Sequence, residues 1–173
     1  MPKSQKPLSP AAGLNVANKT IIMSKNSLVQ ILLAKDSWRT EISSLLQNEK
    51  LPVDDLPYSL DHFFVALNGN ELIGTAGFEQ YNDDILLRSV AVNKNFRNKS
   101  VAAELISEVE DRAGQLGGKT IYLLTETAEK YFQRRGYIRI SREEVPSSVK
   151  SSAEFTTHCP ASAIVMKKII GQK

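Results

Sequence analysis

The stretch ILLRSVAVNKNFRNKSVAAELI, residues 85–106, decides the fold of this chain. Its first eight residues are apolar almost throughout, which is typical of a strand buried on both faces. Residues 93–99 are polar and basic, and an amphipathic helical pattern runs from Val101 to Leu116. A buried strand, a basic loop and a helix start form a recurring anion-binding arrangement, because the first amides of a helix lack partners and carry partial positive charge. The segment therefore predicts a binding site for a diphosphate.

Strands and helices of ordinary length flank this segment on both sides. Upstream, Asn68-Gly69 stands between two strand-like runs and predicts a β-hairpin, because both residues tolerate positive φ. Downstream, Gly117-Gly118 ends the helical pattern. The predicted strands are 28–34, 62–67, 71–80, 85–92, 120–125, 137–140 and 161–169, and the predicted helices are 38–46, 100–116, 128–135 and 147–157. This order predicts a mixed sheet with helices on its faces.

Length and composition limit the class of protein. A chain of 173 residues is long enough for one domain, which we place at 20–173 after a leader, 1–19, that we expect to be disordered. The first nineteen residues hold three lysines and no acid, so the remainder balances at 19 basic and 19 acidic residues. This balance argues against a nucleic-acid partner. The sequence contains no apolar run that suits a membrane helix and only one cysteine, Cys159, so we expect a cytoplasmic protein without an intrachain disulfide.

The segment RSVAVNKNFRNKSVAAELI resembles the signature of the GNAT family of N-acetyltransferases, in which a strand leads into Arg/Gln-x-x-Gly-x-Gly/Ala and then a helix. Arg97 takes the first position, Ser100 replaces the first glycine, and Ala102 takes the last small position. A second likeness, Ala-x-x-Tyr-Phe-x-x-x-Gly-Tyr at 128–137, resembles the family's helix beside the pantetheine arm. The resemblance covers about 28–169. It implies an α/β (α+β) fold, with a mixed, mostly antiparallel sheet of six to seven strands, flanked by helices and splayed at its centre.

The resemblance also implies a cosubstrate, acetyl-CoA. The family grips the diphosphate with backbone amides, which here belong to Asn98, Lys99, Ser100, Val101 and Ala102. Further contacts to coenzyme A are expected from Arg97, from Thr125 and from the strand residues Val90, Ala91 and Val92. If Ser100 needs positive φ, the absence of glycine costs about 1 kcal/mol or more in strain.

Three side chains are candidates for chemistry at the acceptor. Glu79 ends a strand and is our predicted base, against the alternative of a solvated glutamate. Many relatives place a tyrosine where this chain has Phe132, so the neighbouring Tyr131 is either a substitute acid for the leaving thiolate or a core residue. Arg88 is a charge inside an apolar strand. It either grips a substrate carboxylate or pairs with a structural acid, and both roles remain open.

The remaining candidates fit less well. His62 and His158 lack metal-ligand spacing, so no metal site is predicted. Cys159 is either an acyl-accepting nucleophile or a buried thiol, and we favour the latter. The tail Glu-Phe-x-x-x-Cys-Pro-Ala-Ser-Ala-Ile-Val-Met, from Glu154, resembles the small arsenic-resistance-type acetyltransferases. The resemblance implies direct transfer of acetyl to a small-molecule amine, an amino acid or analogue, by a monomer or homodimer. A non-catalytic acyl-CoA-binding or protein-interaction module of the same fold is the alternative.

Overall fold

The structure is a computed structural model, and it describes residues 19–24 and 27–171. The predicted leader therefore lies outside the described residues, except for Lys19, which begins the first strand. The strands are β1 (Lys19–Ser24), β2 (Ser27–Leu33), β3 (Phe63–Asn68), β4 (Glu71–Tyr81), β5 (Asp84–Val92), β6 (Thr120–Thr125), β7 (Ile138–Ile140) and β8 (Ile164–Ile169). The α-helices are α1 (Arg39–Asn48), α2 (Val101–Gln115), α3 (Glu129–Arg134) and α4 (Ser147–Lys150).

The strands form one sheet in the order β1-β2-β3-β4-β5-β6-β8-β7. Neighbouring strands are antiparallel, except that β5 and β6 are parallel. The predicted mixed, mostly antiparallel sheet flanked by helices is thereby confirmed. The described residues give eight strands rather than six or seven, because β1 pairs along its length with β2 and had no counterpart in the prediction.

Alternation along β3 shows how the sheet buries both faces. Phe64 and Ala66 join the cluster beneath α2, whereas Phe63 and Val65 join the cluster beneath α1. The helix α2 contributes its apolar stripe to the first cluster, namely Val101, Leu105, Ile106, Val109 and Ala113. A third cluster holds Leu86, Tyr122, Val145, Val149 and Val165.

The region that follows β7 departs from the prediction of one helix at 147–157. The chain forms α4, and then a π-helical turn at Glu154–His158, closed by the bond from the Cys159 N–H to the Glu154 carbonyl (3.0 Å). The Ser151 hydroxyl donates to the Ser148 carbonyl at 2.6 Å, and such side-chain bonds compete with helix continuation.

The parallel strands β5 and β6 pair only between Asp84–Leu86 and Thr120–Tyr122, and beyond these residues they separate. This separation confirms the predicted splay. On its other edge, β5 carries a β-bulge, since Thr75 pairs with Ala91 but Gly77 pairs with Arg88. Ser89 adopts a φ of 55° at this bulge. Bulges commonly re-aim side chains beside functional sites. The bulged residues Ser89 and Val90 lie beyond the last β5–β6 pair, where these two strands separate.

Candidate active site

The loop between β5 and α2 is shaped by two left-handed residues. Asn98 has a φ of 60° and Ser100, the N-cap of α2, has a φ of 62°. Just before them, the Asn93 side chain accepts a hydrogen bond from the Asn95 N–H at 3.0 Å and fixes the start of the loop. Amides at a helix N-terminus that follows such a loop favour an anion.

A cavity of about 1240 Å³ begins at this loop and extends into the gap between β5 and β6. Leu87–Val92 line one side of the gap, and Leu123–Thr125 line the other. Since β5 has no neighbouring strand along this edge beyond Leu86, its backbone groups face the cavity without ladder partners from β6. The arrangement can hold an elongated ligand that carries its anionic group at the loop and extends its chain along the strand.

The loop arginine is engaged by an acid from the end of α1. Arg97 Nε donates to the Val92 carbonyl at 3.2 Å, and its Nη2 forms an ion pair with Glu49. Both Arg97 and Glu49 line the cavity. Lys99 does not line it; its ammonium lies 5.0 Å from the centroid of the Phe96 ring.

A buried arginine organises the other end of the cavity. Arg88 Nη2 lies 2.6 Å from Asp55 Oδ1 and 3.8 Å from Glu154 Oε1, and Nη1 pairs with Glu79. The Arg88 side chain is 1% exposed. Desolvation lowers the pKa of Arg88, but the hydrogen bonds and charges of its carboxylate partners outweigh it, so that the pKa is raised overall. These contacts favour the structural pairing over the substrate grip.

Two neighbouring side chains engage Glu79. Its carboxylate accepts a hydrogen bond from the Tyr81 hydroxyl at 2.5 Å and pairs with Arg88. Glu79 does not belong to the described residues that line the cavity. The placement does not suit the base predicted from sequence, because a base needs access to the acceptor amine.

The π-helical turn that follows α4 brings three further polar side chains to the cavity, and residue spacing in the sequence did not predict their positions. Glu154, His158 and Cys159 line the cavity, and Cys159 Sγ donates to Glu154 Oε2 at 3.4 Å. Burial, reinforced by the charge of Glu154, raises the pKa of Cys159 to about 12. The thiol therefore keeps its proton at neutral pH, although Cys159 is only half-buried.

His158 also lies near two acids from the loop after α1. Its Nδ1 is 3.9 Å from Asp54 Oδ1, and its Nε2 is 3.7 Å from Asp55 Oδ2. Ligand atoms of these three residues lie within 4.8 Å of one another. However, the Arg88 guanidinium already neutralises Asp55, so a cation would compete with a fixed positive charge. We assign no metal to this group.

Tyr131 on α3 lines the cavity, and Phe132 is 7% exposed within the core. Burial raises the pKa of Tyr131, although the charge of Arg135 opposes the effect. The hydroxyl is therefore protonated at neutral pH and can donate a proton. The Thr125 hydroxyl, which also lines the cavity, accepts a hydrogen bond from the Ala128 N–H at 3.0 Å and so helps to start α3.

Most of the site residues predicted from the sequence, whether for coenzyme A, for the substrate or for the chemistry, surround this one cavity. Those that line it are Arg88, Val90, Ala91, Val92, Arg97, Asn98, Ser100, Val101, Ala102, Thr125 and Tyr131, whereas Lys99 and Glu79 do not. Sequence reasoning missed Glu49 and Glu154. The only signal for Glu154 was its position at the head of the distinctive Glu-Phe-x-x-x-Cys-Pro tail.

Comparison with known proteins gives a family and several relatives. The model of the acetyltransferase (GNAT) family matches residues 31–137. An uncharacterized N-acetyltransferase of Chlorobaculum tepidum is 29% identical over 112 residues, which cover 64% of this chain and 70% of that protein. An amino-acid acetyltransferase of Pseudomonas fluorescens is 30% identical over 95 residues, which cover 54% of this chain but only 22% of that protein.

Solved structures share the fold at low sequence identity. N-acetylglutamate synthase of Neisseria gonorrhoeae, complexed with coenzyme A and N-acetyl-glutamate, has a TM-score of 0.72 at 16% identity, over 83% of this chain and 35% of that chain. A Mycobacterium tuberculosis protein in complex with CoA and NLQ has a TM-score of 0.68 at 17% identity, over 80% of this chain and 98% of that chain. Among the helices that the structure describes, none has the length and apolar composition to cross a membrane.

Proposed function

The chain belongs to the acetyltransferase (GNAT) family, and on that premise we propose that it transfers an acetyl group from acetyl-CoA to the amine of a small molecule. We take amino acids and their analogues as the acceptor class, since several relatives are named amino-acid acetyltransferases. The chain matches less than a quarter of the length of those relatives, so their activity enters only as a proposal. The observation that carries the proposal is the cavity between the loop before α2 and the splayed strands.

Acetyl-CoA would bind with its diphosphate on the amides of Asn98–Ala102, at the N-terminus of α2. Arg97 would exchange its carboxylate partner Glu49 for a phosphate oxygen. The pantetheine arm would follow the unpaired edge of β5, where backbone groups of Val90 and Val92 can bond its amides. Arg88 and Val92 are four residues apart, about 13 Å along a strand, so the far end of the cavity lies a strand's length from the loop.

The chemistry would be direct attack by a neutral amine on the thioester carbonyl. The amine nitrogen forms the new bond to carbon, the carbon–sulfur bond breaks, and its electron pair leaves on sulfur. A backbone N–H near Val90, at the bulge, would polarise the carbonyl oxygen. Tyr131 would return a proton to the thiolate, although coenzyme A, with a thiol pKa of about 8.5, is already a fair leaving group.

Two finer points rest on sequence likeness alone. The likeness to arsenic-resistance-type enzymes depends on the tail that begins at Glu154. The family match and the relatives from Chlorobaculum tepidum and Pseudomonas fluorescens support only the wider family. The alternative of a non-catalytic acyl-CoA-binding module draws on two departures from the family pattern, Ser100 and Phe132. Measured turnover of an amine would distinguish an enzyme from this non-catalytic module.

The first experiment is calorimetric titration with acetyl-CoA of the wild type and of Arg97→Glu. Arg139→Glu, a change on the edge strand β7, is the matched control for the altered net charge. We expect micromolar to submillimolar binding that Arg97→Glu weakens and Arg139→Glu leaves unchanged. The protein is then tested for release of coenzyme A with L-glutamate, other amino acids and their analogues, and simple primary amines.

The outcomes separate the two functions. An absence of binding at millimolar acetyl-CoA would overturn both the enzyme and the acyl-CoA-binding module. Binding that Arg97→Glu weakens, together with turnover of any amine, supports the transferase. Binding without turnover across the panel favours the non-catalytic module.

A further inference from the structure

The cavity needs a group that takes the proton of the acceptor amine. Four carboxylates line it among the described residues: Glu49, Asp54, Glu126 and Glu154. Glu49 belongs to the diphosphate end, because it pairs with Arg97. Asp54 is solvated, with its side chain 78% exposed, and Glu126 is exposed in the loop after β6. The side chain of Glu154 is only 13% exposed, so it is the sheltered carboxylate at the acceptor end.

The π-helical turn places Glu154 beside the bulge of β5. Its Oε1 lies 3.8 Å from the guanidinium of Arg88, which immediately precedes the bulged residues Ser89 and Val90. The acetyl carbonyl is expected at this bulge in the proposed function. Glu154 and the bulged residues line the same cavity, so the Glu154 carboxylate would lie near the reacting carbon.

The electrostatic surroundings suit a base more than a permanent ion. Burial raises the pKa of Glu154, and the charges of Asp55 on the loop and Glu79 on β4 raise it further. Arg88 on β5 and the hydrogen bond from Cys159 act in the opposite direction. A base is most effective when its pKa lies near the working pH, so a raised glutamate is better suited than an ordinary one.

We propose that Glu154, rather than Glu79, is the catalytic base of this chain and accepts a proton from the acceptor amine. The inference rests on the proposed acetyl transfer. The amine proton moves to a Glu154 oxygen as nitrogen bonds to the acetyl carbon, and the carbon–sulfur electron pair leaves with coenzyme A. The proton then passes from Glu154 to solvent through the open cavity.

The test compares Glu154→Gln with Glu79→Gln. Both variants remove one carboxylate charge from the same guanidinium, but only Glu154 lines the cavity. The rate and its pH dependence are measured from pH 5.5 to 9, with the amine of the panel above that turns over fastest. Acetyl-CoA affinity is measured for each variant by calorimetry, and folding by circular dichroism.

We expect Glu154→Gln to lower kcat by about 100-fold or more while the acetyl-CoA Kd stays within about twofold. In the wild type, kcat should decline at low pH as the base becomes protonated, and we call this decline the low-pH limb of the pH profile. Glu154→Gln should lose the low-pH limb, whereas Glu79→Gln should keep it. Glu154→Asp, which retains the charge on Arg88 but withdraws the carboxylate by one methylene, should keep the limb with a reduced kcat. This variant decides the matter if Glu154→Gln does not fold.

Three outcomes overturn the assignment. The limb can survive in Glu154→Gln, it can vanish in Glu79→Gln instead, or Glu154→Asp can lose it. Each of these results leaves the transferase itself intact. A wild type that binds no acetyl-CoA, or that turns over no amine, removes the proposed function and this inference with it.

Discussion

Arg88 and Asp55 form an ion pair of 2.6 Å in which both side chains are almost fully buried, at 1% and 7% exposure. The pair joins the centre of β5 to the loop after α1, and Glu79 and Glu154 surround the same guanidinium. Removing one partner of a buried pair leaves an uncompensated charge, which costs about 3–5 kcal/mol. The contact thus fixes one wall of the cavity as well as the fold.

Arg88→Met should therefore lower the free energy of unfolding by about 3–5 kcal/mol, measured by urea denaturation. Lys119→Met is the matched control, because it removes a cation from an exposed pair with Asp83 (2.7 Å, 67% and 59% exposed). That change should cost less than about 1 kcal/mol. Equal losses in the two variants would show that the Arg88 cluster does not stabilise the fold.

The pair between Glu49 and Arg97 competes with the phosphate that Arg97 is proposed to bind. Glu49→Gln should tighten acetyl-CoA binding by up to about fivefold, because an ion pair with an exposed partner contributes at most about 1 kcal/mol. Glu126→Gln removes the same charge from another part of the cavity wall and should have a smaller effect. Calorimetry measures both, and unchanged affinity in Glu49→Gln would mean that the acid does not compete.

Sequence reasoning succeeded where the information was local. The strand, loop and helix around Arg97 and Ser100 are contiguous, so periodicity and residue type predicted their arrangement. The partners of Arg88 were undetermined because Asp55 lies 33 residues before it and Glu154 lies 66 residues after it. Such contacts depend on how the sheet is assembled, and one sequence contains no signal for which acid will meet a buried arginine.

Limits of another kind explain the errors at element boundaries. The prediction placed one helix at 147–157, where the structure has α4 and then the π-helical turn at Glu154–His158. These two elements differ in their backbone hydrogen bonds, and the pattern of apolar residues does not distinguish them. The predicted last strand began too early because a turn closed by the Ala163 N–H and the Pro160 carbonyl (2.9 Å) precedes β8. An apolar run does not reveal where such a turn ends.

Ser100 adopts a φ of 62° at the N-cap of α2, so the strain of a non-glycine residue with positive φ applies to it. Ser100→Gly should relieve about 1 kcal/mol of strain and raise Tm by about 2–4 °C. Ala103→Gly, in the first turn of the same helix, should lower stability by a similar amount, because glycine there only adds disorder to the unfolded chain. Thermal unfolding followed by circular dichroism measures the change in Tm of both variants. A lower Tm for Ser100→Gly would show that Ser100 is not strained.

Tyr131→Phe tests the proposed acid for the leaving thiolate. If the hydroxyl supplies the proton, kcat should fall by about 100-fold or more, while the acetyl-CoA Kd is unchanged. Because burial raises the pKa of Tyr131, the hydroxyl remains protonated through pH 9 and its loss should not alter the low-pH limb. An unchanged kcat would instead make Tyr131 a packing residue of α3, with the thiolate leaving unassisted.

Cys159 is the chain's single cysteine and so offers a direct test of the acceptor end. With its pKa raised to about 12, about one thiol in ten thousand is ionised at pH 8, against about a quarter for a free cysteine. Alkylation by iodoacetamide, followed by mass spectrometry, should therefore be about a thousandfold slower in the native protein than in urea. Glu154→Gln should speed the native reaction, since the Glu154 charge and hydrogen bond both raise that pKa.

The same thiol separates direct transfer from transfer through an acyl-enzyme. A protonated Cys159 is a poor nucleophile, so Cys159→Ala should retain turnover within a few-fold of the wild type. Rapid native alkylation that acetyl-CoA blocks, together with loss of turnover in Cys159→Ala, would identify an acylated cysteine and replace the direct mechanism. Slow alkylation with retained turnover leaves the amine as the group that attacks the thioester.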